Sequence, residues 1–203
     1  MIAIIDYKAG NLASVSNAFR RLETEFEITN NIEKLEQADG VIFPGVGHAY
    51  AAMNALKEHH LDRWLQNTKK PLLGICLGLQ LLFEGSDEGD TPTLGIIPGR
   101  LKKFDATKGK VPHMGWNSFS SLKEGHPLLD GISKDNFFYY VHSYYAPVNE
   151  ACIATCEYIN PFAAVVASDN FYGIQFHPEK SGDTGEIILK NFLALVHNST
   201  VKV

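Results

Sequence analysis

Residues Gly74-Ile75-Cys76-Leu77-Gly78 set a thiol between two glycines, where an apolar run over 71–76 meets a helical pattern over 77–83. The form is Gly-x-nucleophile-x-Gly, a nucleophile elbow with Cys in place of Ser. A sharp strand-to-helix turn strains the nucleophile's backbone, and small flanking residues leave room for the crowding. The helix that begins at Leu77 points its amide end at the sulfur, which lowers a thiol's pKa and favours thiolate. The Leu77 N–H can also donate to an oxyanion. Taken alone, the pentapeptide fits a buried cysteine in a glycine-rich strand end equally well.

A thiolate needs a base, which can lie far away in the sequence. The histidines are His48, His59, His60, His113, His126, His142, His177 and His197. His59 and His60 fall in a charged helical stretch and His197 near the C-terminus, which makes all three surface residues by context. His177 differs. It follows the apolar run Tyr172-Gly173-Ile174-Gln175-Phe176 and precedes Pro178, which stops a strand, while Glu179 is close enough to reach back and orient the imidazole. His-Pro-Glu alone would still pass for a polar turn at a strand end.

Positioning these groups falls to alternating strands and helices. Strands are expected over 3–5, 26–28, 40–43 and 71–76, the third ended by Pro44-Gly45. Helices are expected over 11–22, 32–38, 50–65 and 77–83. Alternation of this kind implies a parallel sheet covered on both faces, with ligands outside the carboxyl ends of its strands. Asp6, the stretch 44–47 and Cys76 mark three of those ends. From about residue 94 the texture turns to strands over 94–104, 111–119, 137–145, 153–154, 163–167 and 171–176, closed by a helix over 186–196. With no repeat, low-complexity stretch or linker, residues 1–203 read as a single α/β domain with a mixed second half.

Composition sets wider bounds. The 203 residues are 45% hydrophobic and 20% charged, ordinary for a globular protein, and long enough to bury a real core. A net charge of -5, from 18 basic and 23 acidic residues, argues against a general nucleic-acid binder. No apolar run approaches the roughly 18–20 residues of a membrane helix. The opening Met1-Ile2-Ala3-Ile4-Ile5-Asp6 has no basic leader and reads as a buried strand. Three cysteines, an odd count, do not suggest a disulfide scaffold. Cys152 and Cys156 lack zinc-ligand spacing and read as packing residues in or beside a strand. The cytoplasm is the expected compartment.

Three blocks occur in order: Pro44-Gly45-Val46-Gly47, Gly74-Ile75-Cys76-Leu77-Gly78-Leu79-Gln80 and Gly173-Ile174-Gln175-Phe176-His177-Pro178-Glu179. Together they resemble the class I (triad) glutamine amidotransferases, and the resemblance covers nearly the whole chain. It implies a three-layer, flavodoxin-like α/β fold with a central, mainly parallel sheet, helices on both faces and an antiparallel second half. It also implies that Cys76 is the nucleophile, His177 the general base and then acid, and Glu179 the group orienting His177. No cofactor and no metal are implied. Gly45-Val46-Gly47 is similar to the family's oxyanion strand, in which the N–H of Val46, beside Gly47, joins that of Leu77. Glycines there let the backbone approach the substrate and permit a peptide flip between active and inactive states. Gln80 resembles a residue that hydrogen-bonds L-glutamine, with Gly45 beside it.

Two further blocks, Pro112-His113-Met114-Gly115-Trp116-Asn117 and Tyr139-Tyr140-Val141-His142-Ser143-Tyr144-Tyr145, resemble the glutaminase subunits of imidazole glycerol phosphate synthases. So do Lys180-Ser181-Gly182 and the opening Asp6-Tyr7-Lys8-Ala9-Gly10-Asn11-Leu12, although position 8 is often small in that family. Such a subunit sits on the mouth of a (β/α)₈-barrel cyclase as a heterodimer. It passes ammonia through the barrel, where imidazole glycerol phosphate and AICAR are made for histidine biosynthesis. The resemblance places Asn11, Met114, Trp116, Asn117, Tyr139 and Lys180 at the interface, and His142, Ser143 and Tyr144 beside the glutamine. The alternatives are another triad glutaminase, serving pyridoxal phosphate, guanine nucleotide or anthranilate synthesis, or a cysteine peptidase on a related fold. A binding module without catalysis has no use for the triad.

Overall fold

The run Ile2–Ile5 forms the first strand, β1, and alternates its burial between two apolar layers. Ile2 and Ile4 pack on one side of the sheet, Ala3 and Ile5 on the other. The same two-sided coverage shapes the rest of the molecule, a computed structural model that describes residues 1–8 and 10–200. After β1 come α1 (Leu12–Arg21), β2 (Phe26–Thr29), α2 (Ile32–Gln37), β3 (Gly40–Gly45), α3 (Ala49–Glu58) and α4 (Leu61–Asn67). Next are β4 (Leu72–Cys76), α5 (Leu77–Leu81), β5 (Phe83–Ser86), β6 (Thr91–Pro92), β7 (Ile97–Lys103) and β8 (His113–Leu122). The chain finishes with β9 (Phe137–His142), β10 (Tyr144–Tyr145), β11 (Cys152–Glu157), β12 (Pro161–Ser168), β13 (Phe171–Ile174) and α6 (Gly182–Thr200).

Nine strands form one sheet in the order β2-β1-β3-β4-β13-β12-β11-β8-β9. The half from β2 to β13 is parallel, and the rest is antiparallel. α1 and α6 cover one face through Phe19, Leu189 and Phe192, while α2, α3 and α4 cover the other through Leu35, Leu56 and Leu65. These are the three layers expected. No helix among the described residues is long and apolar enough to cross a membrane. Cys152 and Cys156 lie on β11, where burial pushes their thiols up to about 11 and about 12. Both are therefore neutral packing groups.

Several boundaries depart from the sequence reading, each for a local reason. The helix expected over 50–65 breaks at His60, which adopts φ 58°. In an unbroken helix, Leu61 would lie about 140° around the axis from Leu56, five residues at about 100° each. The break lets both bury completely. β3 does not stop before Pro44 but runs through Gly45, pairing Pro44 with Ile75 and Gly45 with Cys76. Its pairing with β1 ends at Ile42, so the N–H that proline lacks is not missed there. The Tyr7 hydroxyl donates to the Pro44 carbonyl at 2.8 Å. A small second sheet, β10-β7-β5-β6, was not foreseen, because Phe83-Glu84-Gly85-Ser86 carries no alternating pattern.

Candidate active site

The elbow forms because three glycines bring three backbones together. A Cβ on Gly78 would stand 1.9 Å from the Phe43 carbonyl oxygen, and one on Gly45 2.8 Å from the Gly78 nitrogen. A Cβ on Gly74 would meet the Gly78 carbonyl carbon at 2.8 Å. β3, β4 and α5 can therefore converge only without side chains at these positions. Cys76, caught between β4 and α5, is held at φ 53° and ψ −107°, a conformation that a non-glycine residue adopts only under strain. That strain projects its sulfur beyond the carboxyl end of the sheet. Leu77 opens α5, so its N–H has no partner within the helix.

β13 pairs beside β4 in register, Gly173 with Gly74 and Ile174 with Ile75. Continuing that register brings residues 175–177 alongside Cys76. Phe176 turns into the core against Phe138, so Gln175 and His177 share the opposite face. The His177 N–H donates to the Tyr139 carbonyl at 2.9 Å, which fixes the backbone beyond the strand. Pro178 then opens a 3-10 turn, Pro178–Lys180, that folds Glu179 back. His177 Nδ1 lies 2.9 Å from Glu179 Oε1, with the two side chains only 3% and 2% exposed. Burial alone would lower the imidazole pKa. The Cys76 sulfur and then Glu179 outweigh it by hydrogen bonding and charge and raise the pKa to about 10. Nε2 faces the sulfur without a well-aligned hydrogen bond, so the two groups interact chiefly through charge and proximity.

A cavity of about 300 Å³ opens over the sulfur. Val46, Gly47, Cys76, Leu77, Gln80, His142, Ser143, Tyr144 and His177 line it, joined by Glu88, Pro112 and Val141. Gly45 stands just below, paired with Cys76. Gly47 has φ 101° and nothing within 4 Å of a built Cβ, so conformation rather than space demands glycine there. Sequence reasoning missed Glu88, which follows β5 in the unforeseen small sheet. Its carboxylate accepts from the Ala49 N–H at 2.6 Å and is 15% exposed.

The Tyr144 carbonyl sets the polarity of the wall. It only accepts, so His142 Nδ1, at 2.8 Å, carries a proton and His142 Nε2 does not. His113 Nδ1, at 3.0 Å from that Nε2, must then donate, and the Asn117 amide approaches His113 Nε2 at 3.4 Å. Burial holds His142 down to about 3 and His113 to about 4, so both rings are neutral at pH 7. Gln80 also donates to the Tyr144 carbonyl, at 2.9 Å, and to Gln175 Oε1 at 3.0 Å. Its own Oε1 remains to accept from a ligand.

A cysteine at a strained elbow, an imidazole backed by a carboxylate and a pocket lined by peptide groups are the parts of an acyl-transfer site. The family model for class-I glutamine amidotransferases matches residues 3–196. The chain belongs to this family. It is 51% identical over 196 residues to the imidazole glycerol phosphate synthase subunit HisH of Bacteroides fragilis, covering 96% of this chain and 99% of the relative. The HisH subunit of Haemophilus influenzae is 47% identical over 195 residues, with coverage of 96% and 98%. A glutamine amidotransferase crystal structure superposes with a TM-score of 0.75 at 16% identity, covering 97% of this chain and all of that one, and attests the fold.

This amidotransferase also carries an apolar face. On β8 and β9 Met114, Trp116 and Phe137 are 59%, 57% and 53% exposed. Trp116 meets Tyr139 edge-on at 6.0 Å, and Lys180 Nζ lies 5.9 Å from the Tyr139 ring. Four of the expected interface residues thus form one patch. Asn117 turns to the opposite side of β8, where it donates to the Glu157 carbonyl at 2.9 Å. Asn11 caps α1, accepting from the Ser14 N–H, and α1 packs beside the 178–180 turn. Lys8 takes φ 64°, a left-handed backbone that a residue with a side chain adopts only rarely. Ala9, in the same opening block, lies outside the described residues.

Proposed function

We propose that the chain is the glutaminase subunit of an imidazole glycerol phosphate synthase, a single amidotransferase domain working in the cytoplasm. It hydrolyses L-glutamine to glutamate and ammonia, and a barrel cyclase subunit bound as a heterodimer receives the ammonia. The observation that carries this reading is Cys76 at its strained elbow beside His177, with Glu179 2.9 Å from Nδ1. The names of the relatives point the same way.

In the reaction, the Cys76 thiolate attacks the glutamine carboxamide carbon, and the oxyanion is held by the N–H groups of Leu77 and of Val46 or Gly47. Glu179 accepts from Nδ1, so the proton on Nε2 of His177 goes to the departing ammonia. Water, deprotonated by the same Nε2, then cleaves the thioester. Glu88 and the free Oε1 of Gln80 are the acceptors for the substrate's α-ammonium. Met114, Trp116, Tyr139 and Lys180 meet the cyclase, with Asn11 at the margin. Cys76→Ala should abolish glutamine hydrolysis, measured as glutamate released with the cyclase and its ligand present, while the circular dichroism spectrum is retained. Turnover near the wild-type rate in that variant would sink the assignment.

A further inference from the structure

Gln175 is completely buried, and nothing in an α/β core requires a primary amide at that point. Its orientation follows from its neighbours. The Tyr144 carbonyl can only accept, so Gln80 presents its NH₂ to it, and the same nitrogen reaches Gln175 Oε1 at 3.0 Å. Oε1 being the acceptor, the Gln175 NH₂ is turned the other way. There it stands 3.7 Å from Cys76 Sγ, within N–H···S range. The sulfur also reaches the Val141 carbonyl at 3.9 Å, which can accept only from a neutral thiol. The two contacts therefore favour opposite charge states.

We propose that Gln175 is a further catalytic residue of this site, its side-chain N–H stabilising the anionic sulfur of Cys76. The role is felt wherever sulfur carries charge: when the thiol ionises, and again when thioester hydrolysis expels it. Gln80 is the positioning residue that holds the amide with its nitrogen towards the sulfur. The proposal rests on the amidase reading above only for its second half, because ionisation of the thiol needs no glutamine.

The test is the pH dependence of Cys76 alkylation by iodoacetamide in the full chain, with Cys76→Ala as the background. Gln175→Met removes the donor at similar volume, and Gln175→Glu replaces it with an acceptor at the same shape. Loss of a hydrogen bond to a charged group should raise the alkylation inflection by about one to two pH units in the Met variant. It should rise further in the Glu variant. Both should lose kcat by about tenfold or more, with KM changed far less. A merely structural amide would lower the melting temperature and leave the inflection where it was. An inflection unmoved in both variants overturns the proposal. Gln175→Asn, which withdraws the donor by one methylene, supplies a reading if the Met variant does not fold. Alkylation reports on the sulfur without turnover, so failure here is separable from failure of the glutaminase assignment.

Discussion

Glu179→Gln tests the site with the least change of shape. The carboxylate accepts from His177 Nδ1 at 2.9 Å inside a pair that is nearly dry. Two effects follow from replacing one oxygen by NH₂. The lost charge weakens a charge-assisted hydrogen bond worth roughly 1.5–3 kcal/mol, or about one to two decades in rate. An amide can also turn its nitrogen to Nδ1, which forces the lone proton of a neutral ring onto Nε2 and removes the base. A triad aspartate changed to asparagine loses about four decades for that reason. We therefore expect kcat to fall by between about one and four decades, with KM little changed. The pH profile moves as well. His177 is raised to about 10 by the Cys76 sulfur and then Glu179, so the protonated acid persists until pH passes through that value. Removing Glu179 lowers the imidazole pKa and should bring the alkaline limb of kcat to lower pH. Steady-state assays from pH 6 to 10 with the cyclase present read both effects. A variant within threefold of wild type and with an unmoved alkaline limb would refute this account of the dyad.

Two other outcomes are expected. Trp116→Ala should weaken cyclase binding by about thirtyfold, as for an aromatic anchor at an interface, without lowering the melting temperature. Titration of the labelled subunit against the cyclase checks it. For stability, His142 and His113 have folded pKa values near 3 and 4, below the unfolded value near 6.5. The unfolded chain then binds more protons, so their contribution is whole above about pH 6.5 and is lost as pH falls towards 3. His177 acts oppositely: its contribution is whole below about 6.5 and is lost as pH rises through about 10. Urea unfolding across pH should show a maximum between these windows, and His113→Gln should flatten the acid slope.

The parts legible in the sequence are those whose constraint is local. The elbow could be read because Gly74 and Gly78 are required by backbone contacts within a few residues of Cys76. Glu179 could be read because a turn of two residues carries it back to His177. Gln175 passed for one more position of an apolar strand, since its role exists only once β13 lies beside β4. Glu88 was hidden for the same reason, delivered by the pairing of β5 with β7. The break at His60 was masked because the apolar spacing on either side is helical, and only the rotation between Leu56 and Leu61 demands an interruption.

That non-local pairing also explains why the proposed docking face and the pocket can be so close. Along β9 the side chains of Phe138, Tyr140 and His142 go inward, and those of Phe137, Tyr139 and Val141 go outward. The outward residues still have backbones, and these reach the chemistry. The Tyr139 carbonyl accepts from the His177 N–H at 2.9 Å, and the Val141 carbonyl is 3.9 Å from Cys76 Sγ. The side chain of Tyr139 meanwhile touches Trp116 and Lys180 on the apolar face. A partner seated on that face presses on residues whose own carbonyls hold the base and touch the nucleophile. The distance between the two surfaces is one strand thick, and no relay through the core is needed to connect them.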